Sequence, residues 1–290
     1  GERAVRRYSE QLDHAAPREI TQDELCDAYR RCDPAVRAAL LQAAENITAY
    51  HENMLAKSWE FAPQPGCRLG QRVRGLARVG IYVPGGTAAY PSSVLMNAIP
   101  ARVAGVGELI MVTPPTENLN TAVLAAAKIA GIDRVFAVGG VQAIGALSYG
   151  AGEIPRVDKI VGPGNAYVAA AKRLVYGTVD IDMVAGPSEI LILADESAPA
   201  AYVAADLLSQ AEHDKLASAI VVTTAEALAH AVCEQVEQQI KARARAEIIR
   251  ASLRDYGAII VVPDTIAACR IANEIAPEHL EIMTKNPRAD

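Results

Sequence analysis

The sequence predicts an α/β protein built on parallel sheets, and three observations point there. Short apolar runs alternate with helical stretches, the pattern of right-handed βαβ units. Hydrophobic residues make up 51% but aromatics only 4%, so the apolar content is aliphatic and alanine-rich. That composition suits helices packed on a sheet better than a β-sandwich. Glycine and proline gather in four turns, at 83–86, 138–140, 161–165 and 185–188, each just after or between expected strands.

The elements follow in order. Asp33 and Pro34 supply an N-cap and a first helical position, and apolar residues at helical spacing continue that helix over 35–55. Asp23 is expected to cap a shorter helix ending at Tyr29. Pro63, Pro65 and Gly66 break the helical pattern, and 78–83 (RVGIYV) reads as a strand. Strands at 109–112, 134–138 and 159–161 then alternate with helices at 92–104, 118–130, 141–149 and 166–175. A second set places strands at 189–193, 218–223, 258–262 and 280–283, with helices at 200–211, 225–241 and 265–275. Two successive α/β blocks predict two Rossmann-like parallel-sheet lobes with a cleft between them. The expected arrangement inserts 84–186 into a lobe formed by 1–83, with its N-terminal helices, and 187–290.

Composition excludes several classes. Lys and Arg total 28 against 34 Asp and Glu, a formal charge of −6, so neither nucleic acid nor an anionic membrane is the expected partner. No apolar run approaches the roughly 18 residues of a membrane span. The opening GERAVRRYSEQLD is unlike a signal peptide. Cys26, Cys32, Cys67, Cys233 and Cys269 are scattered, odd in number and without a CxxC pair, which reads as reduced thiols in a cytoplasmic protein. The start at Gly1 and the stop after a strand-like segment read as part of a longer polypeptide.

Three features carry chemistry. Glycine loops at the carboxyl ends of parallel strands let a phosphate or ring approach backbone N–H groups, and four such loops on one sheet edge favour a small-molecule site over plain tight turns. None of the four matches G-x-G-x-x-G, so a nicotinamide cofactor does not follow from these loops alone. Gln210 and His213 in SQAEHD stand three apart at a helix end, a spacing that suits one metal ion or an ordinary solvated helix end. Glu278 and His279 in APEHL set a carboxylate beside an imidazole before a strand, as an acid–base pair or as loop polarity.

Together the segments YVPGGTAAYPSSVLMNAIPARVAGV, VGGVQAIGALSYG, VDKIVGPGNAYVAAAK, AGPSEILI, DLLSQAEHD and APEHLEI resemble histidinol dehydrogenase, and the resemblance runs the length of the chain. It implies an incomplete Rossmann-like NAD-binding lobe at 84–186 and a substrate- and metal-side lobe from the flanking segments. It implies the last steps of histidine biosynthesis, oxidation of L-histidinol through the aldehyde to L-histidine with NAD, and one Zn²⁺ per subunit of a cytoplasmic homodimer. Tyr82, Gln142 and Asn165 match positions that contact NAD. Ser188 matches a substrate contact, Gln210 and His213 match zinc ligands that also touch substrate, and Glu278 and His279 match the proton-accepting pair. The family's remaining zinc ligands, an aspartate and a second histidine, are expected beyond Asp290. The alternatives are a dehydrogenase of the same fold acting on another small polar alcohol, such as a sulfonated diol, and a catalytically inactive NAD- or ligand-binding fragment.

Overall fold

In the computed structural model, which describes residues 1–85, 90–116, 119–184 and 186–289, the chain forms two units, Gly1–Ala185 and Gly186–Asp290. The first opens with α1 (Glu2–Leu12), β1 (Arg18–Ile20), α2 (Gln22–Arg31) and α3 (Pro34–Glu52). Next come β2 (Trp59–Gln64), β3 (Cys67–Gln71), β4 (Arg78–Tyr82), α4 (Pro91–Val103), β5 (Glu108–Thr113) and α5 (Thr121–Ile129). It closes with β6 (Arg134–Ala137), α6 (Gly140–Tyr149), β7 (Lys159–Val161), α7 (Ala166–Val175) and β8 (Asp180–Ile181). The second unit contains β9 (Glu189–Ala194), α8 (Ala200–Ala211), β10 (Ser218–Thr223), α9 (Glu226–Gln239) and α10 (Ala246–Tyr256). After these come β11 (Gly257–Val261), α11 (Thr265–Ile275) and β12 (His279–Met283).

The first sheet runs β1-β6-β5-β4-β7-β8, parallel except for the antiparallel edge strand β1. Its parallel strands are covered on both faces, so they read as continuous apolar runs. Side-chain alternation divides them: Ile81, Leu109 and Met111 pack with α4 and α5, whereas Tyr82, Ile110 and Val112 pack with α6 and α7. The second sheet runs β11-β10-β9-β12, all parallel. Ile192, Ala219 and Val221 face α8 and α9, and Leu191, Leu193 and Val222 face α11. In both sheets the first parallel strand lies between the second and the fourth, the doubly wound order.

The units follow one another along the chain, whereas the sequence reading joins 1–83 to 187–290. β4 sits at the centre of the first sheet, in register with β5 (Arg78↔Glu108) and β7 (Val79↔Lys159), and β1 extends the β6 edge (Arg18↔Ala137). Other local differences have clear causes. Thr21, not Asp23, caps α2: its hydroxyl accepts from the Glu24 N–H while Glu24 reaches back to the Thr21 N–H, a capping box. α3 is capped as expected, with Asp33 Oδ1 accepting from the Ala35 and Val36 N–H groups. α5 starts after Asn120, whose side chain caps it, and the expected start at Asn118 lies outside the described residues.

Candidate functional site

In the first unit the expected cofactor residues stand at the carboxyl ends of β4, β6 and β7. Two of them meet. Tyr82, the last residue of β4, is 3% exposed, and its hydroxyl accepts from the Gly140 N–H at the start of α6 (3.2 Å). Burial pushes the Tyr82 phenol above its ordinary value, the Gly140 bond opposes this, and the charge of Asp13 adds to the rise. The phenol therefore keeps its proton at neutral pH. Gln142, one turn into α6, is 5% exposed, and its Nε2 donates to Asp13 Oδ2 (2.7 Å) while its Oε1 is buried without a hydrogen-bond partner. Gly139 permits this packing, because a Cβ there would come within 2.7 Å of the Pro114 ring.

Asn165 sits apart from that pair, after β7. Its Oδ1 caps α7 by accepting from the Tyr167 and Val168 N–H groups (both 3.1 Å), so the amide nitrogen is the end not used in capping. Sequence reasoning missed what holds this loop. Lys172, 3% exposed, pairs with Asp182 Oδ1 and donates to the Gly162 carbonyl (3.0 Å), and Asp182 Oδ2 accepts from the Gly162 N–H (2.8 Å). A buried lysine thus clamps the turn that presents Asn165. The available signal was a lysine one turn from the end of an otherwise apolar helix face.

In the second unit the expected residues share the opposite edge of the sheet. Ser188 directly precedes β9, and its carbonyl accepts from the Ser218 N–H at the start of β10 (3.0 Å). Glu278 and His279 stand at the start of β12, beside β9 (His279↔Ile190). α8 connects the carboxyl end of β9 to the amino end of β10, so its C-terminus, with Gln210, returns to this same edge. The fourth glycine–proline turn therefore lies at the amino edge of the second sheet, whereas the other three lie at the carboxyl edge of the first. Gly86 and Ala185, members of two of these turns, lie outside the described residues.

His279 Nδ1 lies 3.1 Å from the Glu189 carbonyl and 3.9 Å from Glu278 Oε2. A carbonyl only accepts, so this contact is a hydrogen bond donated by Nδ1, and in the neutral ring with that tautomer Nε2 is the acceptor. The turn before this pair is strained: Ala276 adopts φ 49° immediately before Pro277. His213 lies beyond the last helical residue of α8 and is exposed, with its backbone N–H on the Gln210 carbonyl (3.1 Å), so the two are joined by a turn and do not share a helix face. Glu281, two residues past His279, has its carboxyl raised by burial and by the charge and hydrogen bond of Asp206 on α8.

The two cofactor expectations differ in fit. The buried orphan acceptor of Gln142, the glycine-lined start of α6 and the clamped Asn165 loop fit a dinucleotide. Gln210 and His213 offer two neutral donors where zinc takes three or four protein groups. Among the described residues, no cluster of three or more His, Cys, Asp or Glu side chains could hold a metal ion. The pair does not by itself make a zinc centre.

The histidinol dehydrogenase family model matches residues 1–290. A histidinol dehydrogenase of Heliobacterium mobile is 52% identical over 295 residues, spanning 100% of this chain and 69% of the relative. That of Aquifex aeolicus is 54% identical over 293 residues, spanning 100% and 68%. The crystal structure of histidinol dehydrogenase from Elizabethkingia anophelis matches with a TM-score of 0.94 at 37% identity, over 99% of this chain and 67% of that one. An acetylating aldehyde dehydrogenase from Geobacillus thermoglucosidasius shares the fold alone, with a TM-score of 0.52 at 14% identity over 98% of this chain and 82% of that one. The chain spans about two thirds of the length of the histidinol dehydrogenases it matches.

Proposed function

The chain belongs to the histidinol dehydrogenase family, and we propose that it serves the NAD-dependent oxidation of L-histidinol to L-histidine, with Tyr82, Gln142 and Asn165 on the cofactor and Glu278 and His279 moving protons. The observation that carries the residue roles is the His279–Glu189 contact. With Nδ1–H held by a fixed carbonyl, Nε2 is presented as a base of set tautomer, and the adjacent Glu278 supplies a second acceptor.

When bound, each NAD would accept one hydride, so two NAD are used per substrate. The residues of this chain do the rest. His279 Nε2 takes the hydroxyl proton as the alcohol carbon loses hydride, which leaves an aldehyde. Glu278 then removes a proton from water as its oxygen attacks that aldehyde, and the resulting hydrate anion loses the second hydride and its remaining hydroxyl proton to become the carboxylate. Ser188, Gln210 and His213 share the sheet edge with this pair and are read as substrate contacts, with Gln210 and His213 contributing to a zinc site that other groups complete. The reading includes a cytoplasmic homodimer; among the described residues, no helix is long and apolar enough to cross a membrane.

The test follows NADH and product together. Two NADH per L-histidinol, with L-histidine formed, are expected. His279→Asn should keep NAD affinity while slowing turnover roughly 10²- to 10⁴-fold. Turnover within about twofold of the parent would remove His279 from the reaction. Oxidation of another small polar alcohol in preference to histidinol would reassign the substrate.

A further inference from the structure

We propose that Asp13 is a positioning residue of the cofactor site: its carboxylate sets which way the Gln142 amide points, and through it what Gln142 offers to NAD. This inference rests on the reading of Gln142 as a cofactor contact. Asp13 lies just past α1, in a segment with no role in the reaction as proposed, yet it reaches across 129 residues of sequence to bond Gln142 Nε2 at 2.7 Å.

The chemistry of that bond decides the orientation. An ionised carboxylate only accepts, so the amide must turn its nitrogen to Asp13 and its oxygen away. The oxygen then sits buried without a partner, an arrangement that costs free energy and persists only when something stronger imposes it. A charged acceptor is stronger than a neutral one. The oriented oxygen lies within 2.7 Å of where a Cβ on Gly140 would stand, beside the residue whose N–H engages Tyr82. Asp13 thus acts on both members of the pair, by a hydrogen bond on Gln142 and by its charge on Tyr82.

The backbone agrees. Among the described residues two non-glycine residues have left-handed φ: Ala276, two residues before Glu278, and His14 (φ 54°), which directly follows Asp13. The turn at His14 brings the chain out of α1, which packs on α6.

Asp13→Asn is nearly isosteric, removes the charge and can donate to Oε1, so it frees the amide to reverse. Calorimetric titration of the chain with NAD should show affinity about tenfold weaker in Asp13→Asn, the scale of one charge-assisted bond. The melting temperature should stay close to the parent's, and the side-chain amide resonances of Gln142 should shift in the NAD-free protein. In turnover, KM for NAD should rise while kcat holds. Asp13→Glu, which keeps an acceptor-only group, should recover most of the affinity; if it is as weak as Asp13→Asn, the carboxylate is not what orients the amide. Gln142→Ala separates the two levels. Weak binding in Gln142→Ala with parental binding in Asp13→Asn overturns the positioning role alone. Parental binding in both variants, or no NAD binding by the parent chain, overturns the cofactor role of Gln142 as well.

Discussion

The two units use the same strand order at opposite ends. In the first, Tyr82, Gln142 and Asn165 sit at the carboxyl ends of β4, β6 and β7, where the N-termini of α6 and α7 present the positive end of the helix dipole. In the second, Ser188, Glu278 and His279 sit at the amino ends of β9 and β12, with Gln210 at the C-terminus of α8, the negative end. One end favours an anionic dinucleotide, and the other favours a cation or a ring that becomes positive on taking a proton. The carboxyl end of the second sheet is tied shut instead: Asp195 accepts from the Ser197 and Lys285 N–H groups (2.8 and 2.9 Å). A doubly wound sheet therefore does not fix which of its ends carries chemistry. The units also differ in burial: Tyr82 and Gln142 are buried and bonded, whereas His213, Glu278 and His279 are exposed.

The largest expected effect tests whether the first unit is pre-set. Lys172→Met leaves Asp182 and the Gly162 carbonyl without their cation. Because the Asp182 side chain is 27% exposed, the loss should fall near the lower end of the roughly 3–5 kcal/mol seen for broken buried pairs. Denaturant unfolding of the first unit, followed by hydrogen exchange, checks it. An unchanged midpoint would mean the Asn165 loop holds itself.

A smaller effect separates the units by pH. Arg134 grips both carboxylate oxygens of Glu19 (2.8 and 2.7 Å), and that hydrogen bonding holds Glu19 below the ordinary carboxylate value of 4.5 against the opposing effect of burial. A lowered value gives stability that is present above the unfolded value and lost as pH falls through the folded one. Glu19→Gln should cost about 1 kcal/mol at neutral pH, and the difference should fade in acid. A pH-independent difference would show that packing, not charge, holds β1.

The smallest effect has the reverse sign and belongs to the second unit. Glu281 is raised above 4.5 by burial and by Asp206, so its stability contribution is complete below 4.5 and is lost as pH rises through the folded value. At neutral pH, Glu281→Gln should leave the second unit equally stable or slightly more so, by less than about 1 kcal/mol. A clear loss at neutral pH would mean that the ionised carboxylate is held by a favourable partner.

Local signals were legible where an element answers to its own residues. The span 265–275 is read from sequence as the structure forms it, and 280–283 falls within β12. α10 was readable and missed: AEIIRASLRDY places Ile249 and Ser252 in the interior three apart. In the hairpin β2–β3 the apolar alternation is confined to Trp59 and Phe61 and to Cys67 and Leu69, and with every residue of β2 exposed and Pro63, Pro65 and Gly66 between, so short a period does not mark two strands. β1 has only three residues and exists because β6 offers an open edge.

Residue identity, dipeptide spacing and apolar period determined by themselves that this is a parallel α/β chain and pointed to Gln210, His213, Glu278 and His279 as candidates, because those signals are written within a few positions of one another; Tyr82, Gln142, Asn165 and Ser188 came from the family resemblance of longer segments. The tertiary structure decided which sheet owns β4, that the second unit's candidate residues gather at the amino edge, that Lys172 clamps the turn before Asn165, and that Asp13 bonds Gln142. Each of these depends on partners that the chain brings together only on folding: β4 pairs with β7 some 80 residues onward, as Arg78 N–H bonded to Asp158 marks, and Asp13 meets Gln142 across 129. Strand pairing and burial select such partners by register and by unsatisfied polar groups, and neither is encoded in a local window.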